Sequence, residues 1–116
     1  MHEFSLAAEV IKLAGIEAEK NKALAVTEIT IEVGNFSGIE VDAFEAALGL
    51  LAEDSVLGNA LLNIVRTKGK GICNECGMEF EMDHRMDTCP RCKSYPSEIK
   101  GGTEFRVVSL VIEQDE

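Results

Sequence analysis

Cys73 to Cys92 reads CNECGMEFEMDHRMDTCPRC and holds all four cysteines of the chain, as Cys73-x-x-Cys76 and Cys89-x-x-Cys92 with twelve residues between the pairs. Two thiolates three positions apart on a tight turn grip one ion, and a second pair from a facing turn completes the tetrahedral sulfur set that zinc favours. Gly77, just past the first pair, and Pro90, inside the second, suit the turns each pair needs. Four thiolates leave no open position, so the predicted zinc is structural; a catalytic zinc keeps a site for water. Iron or a redox dithiol is the alternative use of this spacing. The segment is polar and short of core residues, so metal binding is expected to supply much of its folding free energy.

The flanks on either side decide what carries this module. Upstream, Leu6, Ala7, Val10, Ile11, Ala14 and Ala18 recur at helical spacing, with Glu9, Lys12, Glu19 and Lys20 on the other side. That predicts a helix from Phe4 or Ser5 to about Asn21, with the first three residues projecting from its start. Thr27, Ile29, Ile31 and Val33 then alternate with Glu28, Thr30 and Glu32, the period of a strand with one buried face. Val41, Phe44, Leu48 and Leu51 return to helical spacing with Asp42 as the expected cap. Gly49 costs this second helix about 1 kcal/mol relative to Ala, which suggests close packing against a neighbour.

Residues 59–67, NALLNIVRT, read as a second strand with Leu62 and Ile64 on one face and Leu61, Asn63 and Val65 on the other. Lys68 to Gly71 lead into the cysteine module, and SYPSEIKGG behind it reads as a return linker. EFRVVSLVIE is apolar on both faces at Val107, Val108, Leu110, Val111 and Ile112, the pattern of a central strand. The cysteine module is therefore an insertion between two strands of one sheet. The predicted fold is α+β: a three-stranded sheet with two helices, plus an inserted four-cysteine zinc-ribbon module. Residues 1–67 and 101–116 form the α/β domain, and 68–100 the zinc-binding domain.

Composition limits the partners. At 116 residues and 46% hydrophobic content the chain suits one core domain with a small appendage. The first thirty residues lack a basic start followed by an apolar core, and no apolar run could cross a bilayer, so the expectation is a cytoplasmic protein with no membrane partner. Net charge is −10, while residues 68–100 carry six basic and six acidic side chains, so the excess of acid lies outside the ribbon. A zinc ribbon that binds nucleic acid would carry a basic footprint, and none is visible.

No Ser/His/Asp set, phosphate-binding glycine loop or paired buried carboxylates can be picked out, so no enzyme is expected. The two histidines are His2 and His84. An α-amino group on Met1, the His2 imidazole and the first backbone amides lie within chelating reach of one small ion, and nitrogen-rich sets suit nickel(II) or copper(II). The His2 amide is adjacent in small rings to three other donors, whereas a square-planar corner has only two neighbours. One local donor therefore stays off, or the geometry gains axial positions. Without further information, a solvated terminal histidine is the plainer reading. Glu3 could ligate through its carboxylate or its amide, or favour the positive end of the first helix, and backbone ligation is preferred. His84 reads as a solvated loop residue rather than a fifth zinc ligand or a late nickel donor. Met78, Met82 and Met86, spaced by four, could suggest a copper(I) site and are better read as gap-fillers around the zinc module.

MHEFSLA at the start, EVGNFSGIEVDAFEAAL in the first third, the two C-x-x-C pairs and GTEFRVVSLVIE at the end together resemble the hydrogenase maturation nickel metallochaperones of the HypA/HybF family. The resemblance covers essentially the whole chain. It implies nickel(II) bound as cargo through Met1, His2 and Glu3, structural zinc on Cys73, Cys76, Cys89 and Cys92, and delivery of nickel to the large subunit of a nickel-iron hydrogenase. The implied partners are that large subunit and the GTPase of the same pathway, with urease maturation proteins added because some family members also serve urease. Several members carry His directly after the second C-x-x-C, where this chain has Lys93. The alternative function is a zinc-ribbon adaptor that binds protein or nucleic acid without nickel transfer.

Overall fold

A computed structural model describes residues 2–114. The elements in chain order are α1 (His2–Lys20), β1 (Ala23–Gly34), α2 (Val41–Ala52), β2 (Leu61–Thr67), β3 (Gly69–Cys73), β4 (Glu79–Met82), β5 (Pro96–Lys100) and β6 (Phe105–Gln114). They make two three-stranded sheets, ordered β2-β1-β6 and β4-β3-β5. The chain divides into two compact units: Met1–Glu32, Glu40–Val65 and Arg106–Glu116 form one, Val33–Ile39 and Arg66–Phe105 the other. The α+β class, the three-stranded sheet with two helices and the inserted cysteine module are as the sequence predicts.

In the first unit, α1 turns Ala7, Val10, Ala14 and Ala18 inward, small residues that let it approach closely. Val26, Ile29 and Ile31 of β1 and Phe44, Ala47, Leu48 and Ala52 of α2 fill the same interior. Each fully buried Ile, Leu or Phe contributes about 1.5–3 kcal/mol relative to exposure, so these few side chains dominate the unit's stability. Val26 is buried and Thr27 exposed, which breaks the alternation read from Thr27 onward. Among the described residues no helix is long and apolar enough to cross a membrane.

Several local expectations are corrected. Helix α1 starts at His2 rather than Phe4 or Ser5, so His2 and Glu3 lie in its first turn instead of projecting from it. The cap of α2 is Glu40, whose carboxylate accepts the Asp42 N–H at 3.1 Å, and Asp42 itself stands inside the first turn. Nothing lies within 4 Å of a methyl group placed on Gly49, so close packing does not explain that glycine. Strand β6 is an edge strand, and β1 is the central one. PSEIK, read as linker, forms β5.

The second unit is built on β3, antiparallel to β4 (Gly69 opposite Met82, Ile72 opposite Glu79) and to β5 (Lys70 opposite Lys100), with an irregularity between Ile72 and Cys73. Asn35 ties its segments together: the side-chain amide donates to the carbonyls of Met82 (2.7 Å) and Asp83 (3.2 Å), and its oxygen accepts the Gly69 N–H (3.0 Å). A side chain on Gly69 would collide with the Phe36 ring. The interior is Phe36, Phe80, Met82, Cys73 and Cys89, with Met78 and Cys92 packed against it. Met78 and Met82 thus fill space as expected, but Met86 is 72% exposed, so the spacing of four does not gather the three thioethers.

Candidate metal centre

Each cysteine pair sits on a turn of the same design. In the first, the Gly77 N–H donates to the Cys73 carbonyl at 3.1 Å; in the second, the Lys93 N–H donates to the Cys89 carbonyl at 2.8 Å. Both residues have positive φ, 73° at Gly77 and 60° at Lys93. Within each turn backbone amides face the leading sulfur: Glu75 and Cys76 N–H on Cys73 Sγ at 3.4 Å, and Cys92 N–H on Cys89 Sγ at 3.5 Å. The two turns face one another at the ends of the short sheet.

The four sulfurs of Cys73, Cys76, Cys89 and Cys92 all lie within 4.8 Å of one another. Tetrahedral zinc with Zn–S bonds of ~2.3 Å separates its sulfurs by ~3.8 Å, and Cys76 Sγ stands 3.8 Å from Cys89 Sγ. The electrostatics ask for a cation. The Cys76 N–H, with help from Glu75, draws the Cys73 thiol down to about 7 against the opposing effect of burial. Contact with the Cys76 sulfur, then burial and the charge of Cys73, push Cys92 up to about 12. Four thiolates this close cannot all ionise beside one another without a positive ion, and a divalent metal supplies that charge while displacing the protons. The donor set, four thiol sulfurs with no oxygen or nitrogen among them, suits zinc held structurally.

Of the other predicted site residues, Met1 lies outside the described residues. His2 is exposed at the head of α1. Glu3 is half-buried and its carboxylate accepts the backbone N–H of Glu40 at 3.2 Å. That bond, then the residue's own N–H, hold the carboxyl below its ordinary value of 4.5. The Glu3 side chain therefore has a structural task, joining the start of α1 to the start of α2. Glu40 was missed from sequence, since glutamate is not among the usual capping residues and its partner is remote in the chain.

His84 is exposed in a turn in which the Asp87 carboxylate accepts the N–H groups of Asp83 (2.8 Å) and His84 (3.1 Å). These bonds hold Asp87 below the usual carboxylate range. Beside it the Arg85 guanidinium lies over the Phe36 ring, 4.7 Å from its centre. Asn35, Phe36, Gly38, Asp83, His84 and Arg85 line a cleft of about 260 Å³. Among the described residues the four cysteines are the one cluster of metal-ligand side chains, and neither His2 nor His84 belongs to it.

A small α/β unit joined to a module with four clustered cysteines defines a metal-binding class of protein. A profile of the family described as "HypA: Hydrogenase/urease nickel incorporation, metallochaperone, hypA" matches residues 1–112. The chain belongs to this family. It is 37% identical over 111 residues to a hydrogenase maturation factor HypA of Francisella philomiragia, covering 96% of this chain and 98% of that one. A HypA of Parabacteroides distasonis is 35% identical over 115 residues, covering 99% and 100%. The solution structure of the nickel metallochaperone HypA from Helicobacter pylori aligns with TM-score 0.65 at 28% identity, over 97% of this chain and 98% of that one. Family membership and the four-cysteine metal site are as the sequence predicts.

Proposed function

We propose that this chain carries nickel(II) at its N-terminus and hands it to the large subunit of a nickel-iron hydrogenase, working with the maturation GTPase of the same pathway. Urease maturation proteins are a second class of recipient, in keeping with the family description. The ligands are the Met1 amine, the His2 imidazole and the amides of His2 and Glu3; zinc on Cys73, Cys76, Cys89 and Cys92 holds the second module in shape. The protein delivers cargo and catalyses no reaction of its own, and it does so in the cytoplasm. The 1–67 and 101–116 segments bear the nickel end, and 68–100 the zinc.

The observation that carries this reading is the division of labour at the head of α1. The His2 side chain is exposed, while the Glu3 carboxylate is committed to Glu40. That leaves the His2 imidazole, joined by backbone nitrogens once the Glu3 N–H leaves its own carboxylate, as the nitrogen-rich set nickel(II) prefers. A helix start is positive and repels a dication, and its first amides have no intrahelical acceptor. Nickel binds there when amide protons leave, which turns the site negative. Affinity therefore rises with pH, because each bound ion releases protons.

The delivery claim is tested by the nickel content of the hydrogenase large subunit purified from cells carrying the wild-type chain or His2→Ala. The expected result is loss of large-subunit nickel in the variant while its zinc stays constant. Normal loading by His2→Ala would contradict the proposal.

A further inference from the structure

Arg85 is a cation whose contacts are all neutral. Its guanidinium lies over the Phe36 ring, and Nη2 donates to the Phe36 carbonyl at 3.4 Å. Among the described residues no carboxylate lies within 4 Å of it. In a chain of 21 acidic against 11 basic side chains, carboxylates are not scarce, so this isolation is a property of the fold. The side chain lines the cleft of about 260 Å³ inside the second unit, and two separate ties fix the walls around it. On one side the Asn35 amide holds the Met82 and Asp83 carbonyls, and Gly38 turns the chain at a φ of 83°. On the other the Asp87 carboxylate holds the N–H groups of Asp83 and His84. A guanidinium stacked on an aromatic ring in a fixed cleft loses little freedom when a ligand arrives, so less of the binding free energy is lost to ordering.

The charges around Arg85 select the ligand. Asp83 is paired with Lys68 at 3.2 Å, and Asp87 is turned to backbone N–H groups, so neither carboxylate is committed to Arg85. What remains is one positive charge on a planar fork with N–H groups still to satisfy. That fork matches a carboxylate, which is planar and carries one negative charge. A phosphate group carries about 1.5–2 negative charges and would meet Asp83 and Asp87 with one unspent cation to offset it. The cleft is also several times larger than a carboxylate group, since a water takes about 30 Å³, so a fitting ligand brings part of a chain with it.

We infer that this cleft is a binding site for a carboxylate carried on a peptide, the glutamate or aspartate side chain of a partner protein. The Arg85 guanidinium is its anchor, and the His84 imidazole, on the wall of the same cleft, is a further N–H donor. One charged anchor in an open cleft holds an isolated carboxylate weakly, with a Kd on the order of millimolar, and salt weakens it further. Within a larger protein interface the same contact serves as a fixed arginine anchor.

NMR titration of the full, untagged, zinc-loaded chain, labelled with nitrogen-15, tests this at constant ionic strength. The probes are N-acetyl-glutamate α-amide and its neutral counterpart N-acetyl-glutamine α-amide, with sodium acetate, inorganic phosphate and sodium chloride beside them. The expected result is a saturable shift of the Arg85 Nε–H and of the Phe36, Gly38 and His84 amides with the glutamate probe, and none with the glutamine probe or chloride. The Arg91 Nε–H, exposed on the second cysteine turn, is the internal reference and should not move. Read on the Phe36 and Gly38 amides, Arg85→Gln should weaken the glutamate probe by about tenfold or more, and Arg85→Lys, which keeps the charge and loses the fork, by less. Circular dichroism and zinc content check that each variant is folded. Equal shifts with the glutamine probe, equal movement of Arg91, or unchanged binding by Arg85→Gln would overturn the inference. Tighter binding of phosphate would overturn the choice of a carboxylate, and acetate held as tightly as the glutamate probe would overturn the peptide as its source.

Discussion

Lys93 holds the left-handed conformation that glycine holds at the matching place in the first cysteine turn, with φ of 60° against 73° at Gly77. An L side chain in that conformation costs about 1 kcal/mol or more. Lys93→Gly is therefore expected to raise the thermal midpoint of the zinc-loaded protein, and Gly77→Ala to lower it by a similar free energy. The cysteines were legible because their chemistry needs only spacing. Lys93 was not, since lysine carries no turn signal and the fold imposes the φ. Glu3 has its own pH dependence. Its carboxyl is depressed in the folded protein, so the stabilisation from the Glu40 N–H is fully present above the ordinary value of 4.5 and is lost as pH falls through the lower folded value. A carboxyl carbon-13 titration by NMR should show Glu3 protonating below the exposed glutamates; a Glu3 that titrates with them would mean the Glu40 contact is absent in solution.

Both helices contain a glycine with open space where a methyl group would go, Gly15 in α1 and Gly49 in α2. Gly15→Ala and Gly49→Ala should each stabilise the protein by about 1 kcal/mol in denaturant titrations. Phe44→Ala, which empties a fully buried site, should cost about 3–5 kcal/mol. The proposed nickel site bears on α1 as well. Successive N–H groups of a helix point along its axis, so two amide nitrogens cannot both turn to one ion while the first turn stays helical. Loading nickel should lower the helical signal slightly and move the Glu40 amide resonance as the Glu3 contact loosens. At this scale the helices and β1 were legible because one face of each is buried and the period shows. Strand β5 was not: PSEIK is mostly exposed and opens with proline, so nothing in its pattern separates strand from linker. Strand β6 misled for another reason: apolar residues on both faces concern how the faces are covered and not how many edges are paired, and β6 has one strand neighbour, β1.

The molecule combines an acidic α/β unit that hydrophobic burial can hold with a charge-balanced module whose interior is Phe36, Phe80, Met82 and the cysteines themselves. Chelation of zinc should consequently melt the second unit while most of the helical signal, which comes from α1 and α2, survives. A single loss of both on chelation would mean that the first unit depends on the metal too. The proposed nickel site makes a separate prediction: if the Met1 amine is a ligand, any residue added before it turns that amine into an amide and should weaken nickel binding. Whether there are two distinct metal sites, with nickel at the N-terminus, is decided by titrating nickel(II) into untagged, zinc-loaded protein beside its His2→Ala variant and counting zinc in both. The prediction is nickel binding that disappears in the variant while zinc is unchanged. Equal nickel binding by the two proteins would contradict it.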